Sequence, residues 1–590
     1  MALVEEIRQA VLESLKLLYQ QFFSEKDFQI NQTKPEFEGD YTVVLFSIVK
    51  TVKKNPEVLG NELGAKLIAD HPDLFSKFNL IKGFLNLSVN DEYWLKFIRR
   101  QYQNQHYGLR PTSKRKVMVE YSSPNTNKPL HLGHLRNNFL GWSVAEIYKA
   151  NGNEIVKTCI VNDRGIHICK SMLAWQKFAN GATPQSAGMK GDHFVGYYYV
   201  KFNEELKKQV EQLAEKGMSK EEAEKQAPLM KETQQMLVDW EAGKFEVMEL
   251  WNRMNEWVYE GFDQTYKRIG SDFQKIYYES ETYLLGKKYV EEGLKKGIFY
   301  RKDDGSVWID LSKEGLDQKV VLRADGTSVY ITQDIGLADI KQQEFQADES
   351  IYVIADEQNY HMQVLKMICE KFGIINAREI HHLSYGMVEL PTGKMKSREG
   401  TVVDADDLLD EMYAIAEKHT RELGKVKDFE EDELKELYDT ISLGALKFFL
   451  LRVDPKKRMV FNPEESIDFH GFTGPFVQYT HARIKSVLRK KQPSGTGTGT
   501  SILPLEKAIV ILLEQFESIV DQACAEMNPS VIAIYVFNLA KTFNSFYTEH
   551  SITIAESPEK MELRLQVAQL TAEVIKTGMG LLGIRVPERM

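Results

Sequence analysis

Apolar positions along the chain follow helical spacing in some stretches and form strand-like runs in others. Near the amino terminus, apolar residues spaced three and four apart predict a helix over 4–23. Short apolar runs predict strands over 41–49 and 83–89, and helical spacing returns over 93–101. These elements predict a separate N-terminal α+β domain over residues 1–110.

The middle of the chain alternates between strand-like and helical segments. An apolar run over 117–121 predicts a buried strand, and the helical spacing over 131–150 ends at an Asn-Gly stop signal. The next apolar run completes a strand–helix–strand sequence, which is typical of the βαβ unit of a parallel sheet. That run covers 155–161, and further strand-like segments at 306–310, 350–354 and 379–384 alternate with helices. The pattern predicts an α/β domain over 111–428 with a doubly wound, Rossmann-like parallel sheet.

Helical periodicity dominates the remaining stretches. A charge-rich helical segment near 176–260 is predicted to be an insertion in the α/β domain. Beyond residue 428 the strands are expected to stop, which predicts a helical connecting segment over 429–471 and an all-α C-terminal domain over 472–590. A low-complexity run of Gly, Ser and Thr over 492–501 is predicted to form a flexible loop.

Composition narrows the class of protein. The 590 residues are 43% hydrophobic and 27% charged, which is typical of a globular chain. No apolar run is long enough to span a bilayer and the first residues lack a signal-peptide layout, so we expect a cytoplasmic location and no membrane partner. The four cysteines are scattered and form no Cys-x-x-Cys pair, so neither zinc nor a redox dithiol is expected.

The net charge of −10 argues mildly against a nucleic-acid partner, because phosphate binding depends on lysine and arginine. Net charge is an average over the chain, however, and there are local basic strips at 114–116, 456–458 and 483–491. Each strip could contact RNA or could be a solvated helix face or loop.

Two histidines mark the predicted start of the helix that follows the first strand of the α/β domain. A helix N-terminus offers free backbone N–H groups and the positive end of the helix dipole, which favour a phosphate. His131 and His134 share a helical face, and Gly133 lets a flat base approach the backbone. This arrangement fits charge stabilisation during nucleotidyl transfer. Alternatively, the two histidines could have a structural role or could form half of a metal site, although no third ligand lies at a suitable spacing.

The sequence around these histidines carries a family resemblance. Residues 122–137, Ser-Ser-Pro-Asn-Thr-Asn-Lys-Pro-Leu-His-Leu-Gly-His-Leu-Arg-Asn, resemble the HIGH signature of class I aminoacyl-tRNA synthetases, and the Ser-Pro-Asn prefix resembles its arginyl form. Similarity continues through 161–165, 191–193, 478–483 and 581–590, and so covers essentially the whole chain. The resemblance implies a monomeric enzyme that activates L-arginine with ATP and Mg²⁺ and transfers it to the 3′ end of arginine tRNA, releasing AMP and pyrophosphate.

The resemblance extends to the mobile lysine loop of class I enzymes. Residues 394–398, between two glycines, resemble the KMSKS loop, but the order here is Lys-Met-Lys-Ser-Arg. Which basic residue meets the pyrophosphate is therefore open. The implied catalytic residues are His131, His134, Lys128, Lys394, Lys396 and Arg398. The implied ATP-binding residues are His131, Gly133, His134, Lys394 and Lys396.

The chemistry of arginine predicts the amino-acid pocket. A guanidinium is planar, permanently charged and carries five donors, so it needs carboxylates in fixed positions. Glu120 lies at the end of a predicted strand, where open α/β sheets bind ligands, and Tyr330 and Asp334 are four apart. The resemblance implies that these three residues address the guanidinium. It implies contacts to the amino-acid end from Ser123, Asn125, His134 and Gln358. Bound lysine would leave carboxylate acceptors of such a pocket unpaired, so the pocket should reject lysine without editing. No editing activity is therefore expected in the insertion.

The resemblance also implies tRNA contacts in both outer domains. The N-terminal domain resembles one that reads the tRNA elbow, with Phe84 and Asn86 as candidates, although a strand phenylalanine is commonly a core residue. The helical C-terminal domain resembles an anticodon-binding domain, where bases can stack on aromatic or arginine planes. Its candidates are Tyr479, His481, Arg483 and Met590. A cysteinyl or glutamyl synthetase and a non-catalytic RNA-binding paralogue are the competing interpretations.

Lys128 precedes the histidine pair, and the altered lysine loop leads us to expect that it assists at the phosphate. Lys128→Ala should therefore slow arginyl transfer in an aminoacylation assay, because the substitution removes a positive charge from the nucleotide site. An unchanged rate would leave Lys128 as an exposed lysine that serves only solvation.

Overall fold

An antiparallel sheet with helices forms the N-terminal domain. The computed structural model describes residues 3–34, 36–327, 329–389, 391, 403–423, 428–495 and 501–590. The first strands are β1 (Ile30–Gln32), β2 (Tyr41–Val44), β3 (Phe75–Ile81) and β4 (Phe84–Val89), and they pair in the order β1-β2-β4-β3. The first helices are α1 (Leu3–Tyr19), α2 (Phe46–Val52), α3 (Pro56–Asp70) and α4 (Asp91–Gln101).

The strand predicted over 41–49 ends at Val44, and α2 occupies the rest of that segment. Leu45 and Ile48 are both buried and lie three residues apart, which suits one face of a helix. A short apolar run fits a strand and a helix equally well, so its periodicity could not separate the two. The next predicted strand and helix of this domain are confirmed as β4 and α4.

Five parallel strands form the sheet of the middle domain. The strands after β4 are β5 (Lys116–Glu120), β6 (Glu154–Val161), β7 (Lys275–Tyr278), β8 (Tyr300–Arg301), β9 (Val307–Ile309), β10 (Lys319–Leu322), β11 (Glu349–Ala355), β12 (Ile380–Tyr385), β13 (Val388–Glu389) and β14 (Met459–Val460). The parallel sheet has the order β12-β11-β5-β6-β7. The carboxyl ends of its strands therefore lie along a single edge.

Helices cover both faces of this sheet. The helices of the middle domain are α5 (Leu132–Ala150), α6 (Ile166–Phe178), α7 (Pro184–Ala187), α8 (Gly191–Glu215), α9 (Lys220–Gln226), α10 (Pro228–Glu241), α11 (Phe245–Ile269), α12 (Glu279–Thr282), α13 (Leu285–Lys295), α14 (Tyr330–Phe345), α15 (Asn359–Phe372) and α16 (Ala405–Leu423). Val117 and Val119 belong to the core that includes α5, whereas Met118 belongs to a second core with α14 and α15. Alternate strand residues point to opposite faces, so the predicted doubly wound arrangement is confirmed.

Two parts of this domain lie outside the parallel sheet. Helices α8 to α11 form between β6 and β7, where a helical insertion is predicted, and α8 packs against α6 and α11. The strand predicted over 306–310 exists as β9, but it pairs with β8 and β10 in a separate antiparallel sheet. Strands also continue beyond residue 428, contrary to the prediction, because β14 pairs with β13. A local pattern predicts a strand but does not determine which strand it pairs with.

Apart from β14, the regular elements of the remaining described chain are helices. Its helices are α17 (Glu431–Leu451), α18 (Pro463–Ser466), α19 (Gly474–Lys490), α20 (Pro504–Glu514), α21 (Phe516–Ala525), α22 (Pro529–Glu549) and α23 (Pro558–Leu581). Short 3-10 helices form at Glu25–Asp27, Ser312–Glu314, Asp356–Gln358 and Ala377–Glu379. The outer domains meet where α20 and α23 contact α4. Over the described ranges, every helix is too short or too polar to cross a membrane.

Arg136 ties α5 to two loops beyond the sheet. Its side chain is buried, and its guanidinium donates to the carbonyl oxygens of Gly386 and Lys457 at 2.7 and 2.9 Å. It also reaches the carbonyl oxygens of Met387 and Pro455 at 3.4 and 3.2 Å. Burial lowers the pKa of Arg136 to about 10. Backbone dipoles therefore hold this charge in the protein interior.

We expect Arg136→Met to lower the free energy of unfolding by roughly 3 kcal/mol, because buried carbonyl groups would lose their donor. Urea unfolding followed by circular dichroism measures the change. Arg378→Met is the control, since the Arg378 side chain is 87% exposed. It should change the free energy by less than about 0.5 kcal/mol. Equal effects from the two substitutions would show that the carbonyl contacts contribute no extra stability.

Candidate active site

A strained loop leads from β5 to α5. Ser122 and Ser123 have φ angles of 83° and 47°, in the left-handed region that residues with side chains rarely adopt. Asn137 holds this loop, because its Oδ1 accepts from Ser122 N and its Nδ2 donates to Val353 O on β11, at 2.5 and 2.7 Å. Asn138 Nδ2 donates to Ser122 Oγ at 3.1 Å. The loop is therefore fixed between the sheet and the start of the helix.

The two predicted histidines cap α5. Gly133 N donates to His131 Nδ1 and His131 N donates to His134 Nδ1, both at 3.1 Å, which forms a capping box. The centroids of the two rings are 3.9 Å apart. A Cβ atom on Gly133 would lie 3.0 Å from Cε1 of His131. Glycine at this position therefore leaves enough space for the His131 ring. The structure thus brings both rings together at the helix N-terminus.

Both histidines are neutral in this environment. Burial and the neighbouring charge of Lys128 lower the pKa of His131 to about 3. Burial, with the charges of His131 and Lys128, holds the pKa of His134 well below its usual range. Because Nδ1 of each ring accepts a backbone hydrogen bond, the proton of each ring is on Nε2. The pair therefore offers two N–H donors to a phosphate rather than two positive charges.

A cavity of about 310 Å³, here called the helix-start cavity, opens beside His131. Its lining includes Lys128, His193, Tyr199 and Asp404. Lys128 is half-buried, and burial lowers the pKa of its ammonium group. Lys128 thus lies next to the histidine pair, as its hypothesised role requires, rather than extending freely into solvent.

A charged network closes one side of the helix-start cavity. Lys190 Nζ donates to Asp406 Oδ2 at 2.6 Å and to Asp192 Oδ2 at 3.1 Å. Hydrogen bonds to Asp404 and Asp406 raise the pKa of His193 to about 10. Burial would raise the pKa of Asp406, but His193 and Lys190 hold it well below its usual range. Ligand atoms of Asp192, His193 and Asp406 lie within 4.8 Å of one another, yet Lys190 already supplies the cation between the two carboxylates.

The predicted arginine-binding residues converge on a second cavity, of about 350 Å³, here called the sheet-edge cavity. Its lining includes Glu120, Ser123, Tyr330, Asp334 and Gln358. Asn125 and His134 are also predicted to bind arginine, but neither is among the described residues that line this cavity. Asn125 is exposed on the loop beside Asn162, and His134 lies at the start of α5. Side chains from a strand end, a loop and two helical segments therefore meet at the sheet edge.

One face of α14 forms a wall of the sheet-edge cavity. Tyr330, Asp334, Leu337 and Lys341 line it at helical spacing. Tyr330 is 75% exposed at the mouth, whereas Lys341 is 2% exposed at the closed end. The predicted helix is confirmed as α14, so Tyr330 and Asp334 lie on one helical face.

The carboxylates of this cavity have partners within the protein. Glu120 Oε2 accepts from Lys341 Nζ, and from Thr158 Oγ1 at 3.4 Å. Asp334 Oδ2 lies 2.6 Å from His361 Nε2. Lys341 and His361 are absent from the residues predicted by sequence. Lys341 continues the helical stripe of α14 and could have been found there, but no spacing along the chain relates His361 to Asp334.

Glu279 is a further carboxyl group at this edge of the sheet. It follows β7 directly, and burial with the charges of Asp163 and Asp334 raises its pKa to about 7. Asp163 fixes the turn, since it accepts hydrogen bonds from Ser280 N and Oγ at 2.8 and 2.6 Å. A cation bound between Glu279 and Asp334 would favour the ionised form of Glu279. The sequence reasoning missed this residue because it did not predict β7.

The basic residues of the predicted lysine loop lie outside the described residues: Lys394, Lys396 and Arg398. The chain that follows the loop is described from residue 403 and returns to the start of α5. There Leu132 N donates to Val403 O at 3.2 Å, and Ala405 N donates to Leu130 O at 3.0 Å. The segment after the loop is therefore held against the histidine pair.

The two N-terminal tRNA candidates differ in exposure. Phe84 is 39% exposed and packs edge-on against Phe46, with ring centroids 5.3 Å apart. Asn86 is buried, and its Oδ1 accepts from Thr42 Oγ1 at 2.6 Å. Phe84 therefore lies at the surface, contrary to the common expectation for a strand phenylalanine, whereas Asn86 braces the sheet.

The C-terminal candidates lie on and beside α19. The Arg483 guanidinium lies over the ring of Tyr479, 4.9 Å from its centroid. His481 is one of the predicted tRNA contacts, but it is buried and its Nδ1 lies 2.9 Å from Pro587 O. This ring therefore anchors the C-terminal segment and does not face solvent. Met590, at the end of that segment, is half-buried. Tyr479 and Arg483 thus form an aromatic and cationic pair near the chain end.

Comparisons with known proteins agree with this architecture. Residues 99–462 match the model of the class I tRNA synthetase (R) catalytic domain, 477–590 the DALR anticodon binding domain, and 5–89 the arginyl tRNA synthetase N-terminal domain. The arginine–tRNA ligase of Amoebophilus asiaticus is 51% identical over 99% of both chains, and that of Bacteroides thetaiotaomicron is 51% identical over 100% of both. The solved arginyl-tRNA synthetase of Thermus thermophilus has a TM-score of 0.81 and 26% identity, covering 99% of this chain and 100% of its own.

A parallel sheet whose first crossover helix begins with a pair of histidines, together with these matches, defines a class I aminoacyl-tRNA synthetase. The catalytic model alone spans more than half of the chain, and the curated relatives match it over its full length. The chain belongs to the arginyl-tRNA synthetase family. It is an ATP-dependent arginine–tRNA ligase.

The charged network around His193 predicts a pH-dependent contribution to stability. The folded-state pKa of His193, about 10, lies above the ordinary histidine value of 6.5. The folded protein therefore holds a proton that the unfolded chain releases, so the contribution is complete below about pH 6.5 and declines as the pH rises towards 10. We expect His193→Gln to lower Tm most near pH 6, with a difference from the unaltered protein that shrinks by pH 10.

Thermal unfolding between pH 6 and 10 measures this difference. His106→Gln, at an exposed histidine, is the control and should leave Tm unchanged over the range. A difference for His193→Gln that stays constant or grows with pH would contradict the charge assignment.

Proposed function

We propose that the helix-start and sheet-edge cavities hold ATP and L-arginine side by side for formation of arginyl-adenylate. The observation that carries the proposal is the convergence of the predicted arginine-binding side chains on one cavity, next to the loop that leads to His131. In this arrangement the carboxylate of arginine faces the α-phosphate of ATP. His131, His134 and Lys128 bind phosphate oxygens, and Gly133, which has no side chain, lets the adenine base approach the backbone.

The first reaction step depends on donors that are already oriented. A carboxylate oxygen of arginine attacks the α-phosphorus of ATP, and the bond to pyrophosphate breaks. The Nε2–H groups of His131 and His134 point to the negative charge that grows on the phosphate oxygens, and the capping bonds hold both rings in place beforehand. Lys128 supplies positive charge at the same place, with further charge from Lys394, Lys396 and Arg398. A ribose hydroxyl at the tRNA 3′ end then attacks the adenylate carbonyl, and AMP leaves.

The arginine side chain is proposed to lie along α14. Glu120 and Asp334, both in the lining of the cavity, present two carboxyl groups to the planar guanidinium, and Tyr330 closes the mouth of the pocket. Glu279 adds a further carboxyl group near Asp334. Lysine lacks the fork and could satisfy only part of this acceptor set. The amino-acid end of arginine meets the residues near the loop after β5 and before α15, namely Ser123, Asn125, His134 and Gln358.

Contacts with tRNA are proposed in both outer domains. Exposed Phe84 offers a stacking surface to the tRNA elbow, and Asn86 supports that strand from within the sheet. Tyr479 and Arg483 offer stacking and charge to anticodon bases, with Met590 beside them. The net charge of −10 does not oppose this, because binding depends on local surfaces.

The proposal also includes Mg²⁺, carried by the phosphates of ATP, and no zinc. All four cysteines are free and lie on different elements, so a zinc site built of thiolates would have no pair to start from. We further propose a monomer in the cytoplasm, the compartment in which free cysteines stay reduced.

Asp334→Asn tests the arginine pocket. The substitution should raise KM for arginine about 10- to 100-fold with little change in KM for ATP, because it removes a charge-assisted hydrogen bond to the guanidinium. Aminoacylation of total tRNA with labelled arginine, lysine and glutamate measures both the kinetic constants and the selectivity.

Asp263→Asn is the matched control, since Asp263 is a surface carboxylate paired with Lys267 at 2.6 Å. It should leave both KM values unchanged. Preferential charging of lysine or glutamate by the unaltered protein would overturn the proposed selectivity. An unchanged KM for arginine in Asp334→Asn would remove Asp334 from the pocket.

A further inference from the structure

An ion pair lies behind the wall of the helix-start cavity, where α8 begins. Lys190 Nζ donates to Asp406 Oδ2 at 2.6 Å, to Thr265 Oγ1 at 2.6 Å and to Asp192 Oδ2 at 3.1 Å. The side chains of Lys190 and Asp406 are only 16% and 17% exposed. Among the residues that the structure describes, neither of these two belongs to the lining of the cavity. Any role of the pair in the reaction must therefore be exerted through its neighbours.

The ion pair joins three segments that are distant along the chain. Lys190 directly precedes α8, Thr265 belongs to α11, and Asp406 lies in the first turn of α16. Thr265 Oγ1 donates to Asp406 Oδ1 at 3.1 Å. A Cβ atom at Gly191 would overlap Trp257 O on α11, so α8 can begin this close to α11 because its first residue is glycine. Two helices of the insertion thus hold the start of α16.

His193, in the first turn of α8, extends the contact to a second carboxylate. Its Nε2 lies 3.1 Å from Asp406 Oδ2 and 3.3 Å from Asp404 Oδ2. Hydrogen bonds to the two carboxylates raise the pKa of His193 to about 10, so the ring is charged at neutral pH. Asp404 Oδ1 accepts from the backbone N–H groups of Asp406 and Asp407 at 2.8 and 3.2 Å. Lys190 and His193 therefore supply two cations that fix the first turn of α16.

The chain just before the carboxylate of this ion pair is hydrogen-bonded to the start of α5. Leu132 N donates to Val403 O at 3.2 Å. Ala405 N donates to Leu130 O at 3.0 Å. These two bonds lie on either side of His131 along the chain. A shift of the segment 403–405 would therefore move the backbone on both sides of the His131 ring.

We propose that Lys190 and Asp406 are positioning residues for His131. Their ion pair, extended by His193, holds the segment 403–405 against the start of α5, and so fixes the place from which the Nε2–H group of His131 meets the phosphate. The pair acts through His131 and does not touch the reacting atoms. A misplacement of about 1 Å in a catalytic group can cost about 100-fold in rate, so such support matters. This inference rests on the nucleotide site proposed above.

Steady-state aminoacylation by Lys190→Met and Asp406→Asn tests this role. Each substitution should lower kcat/KM for ATP about 10- to 100-fold and leave KM for arginine within about 3-fold, because only the phosphate end of the site loses its support. Lys190→Arg keeps the charge and should restore most of the activity. Lys190→Met also leaves the buried Asp192 without its cation. Asp406→Asn leaves that contact intact, so it reports even if Lys190→Met does not fold.

A double-mutant cycle shows whether the ion pair acts through His131. The variants are Asp406→Asn, His131→Asn and the two combined, and asparagine at position 131 can still cap α5. His131→Asn alone should lower kcat/KM for ATP. Adding Asp406→Asn should cause little further loss, because the ring that the ion pair positions is already gone. Independent, multiplicative losses would overturn the proposal, as would an unchanged kcat/KM for ATP in Asp406→Asn or an equal loss in kcat/KM for arginine through its KM.

Asp410→Asn is the matched control. Asp410 lies one turn further along α16 and also pairs with a cation of α11, Arg268, at 2.7 Å. Its substitution removes a contact between the same two helices but not the contact beside His131, so kcat and both KM values should stay unchanged. If His131→Asn also left kcat/KM for ATP unchanged, the nucleotide site itself would be misplaced, which is a different failure.

Discussion

Buried carboxamides on α5 hold a strained backbone loop against the carboxyl edge of the parallel sheet, and the geometry of both cavities depends on this contact. Asn137 bridges Ser122 N and Val353 O, and Asn138 bridges Ser122 Oγ and His134 O. A residue other than glycine in the left-handed region costs about 1–3 kcal/mol, and here fully buried hydrogen bonds offset that cost. The loop sets the distance between the end of β5 and the start of α5, the two elements between which the proposed site holds its substrates.

The charges of the site are balanced inside the protein before any substrate binds. The capping histidines are neutral, so in the proposed site they act on a phosphate through oriented N–H dipoles, which keep their direction without a counter-ion. The network of Lys190, His193 and Asp406 pairs its charges within itself at the wall of the helix-start cavity. Near the sheet edge, Asp334 shares a hydrogen bond with His361, which a guanidinium can replace with a stronger one. Substrate charge is therefore the main change in the electrostatics of the site.

Local patterns predicted the parts of this structure that local chemistry determines. The βαβ unit, the helix start at the histidines and the shared face of Tyr330 and Asp334 all follow from spacing along the chain. Lys341 and Glu120 are 221 residues apart and meet only because α14 packs in the same core as β5, so no spacing along the chain predicts their contact. The same limit explains β9, which was recognised as a strand but assigned to the wrong sheet. Burial, which makes the histidines neutral and hides His481, is likewise a property of packing.

The helical insertion is integrated into the catalytic domain, and this bears on its role. Tyr259 OH from α11 donates to Asp163 Oδ2 at 2.9 Å, and Thr265 Oγ1 on the same helix is 2.6 Å from Lys190 Nζ. These contacts join the insertion to the end of β6 and to the wall of the helix-start cavity, so it braces the site. A pocket that leaves acceptors unpaired with the wrong amino acid discriminates at the binding step, where the penalty for an unmatched buried carboxylate is large. Both arguments favour a supporting role for the insertion over a hydrolytic one, because in the proposed pocket the carboxyl groups at the sheet edge already provide the selectivity.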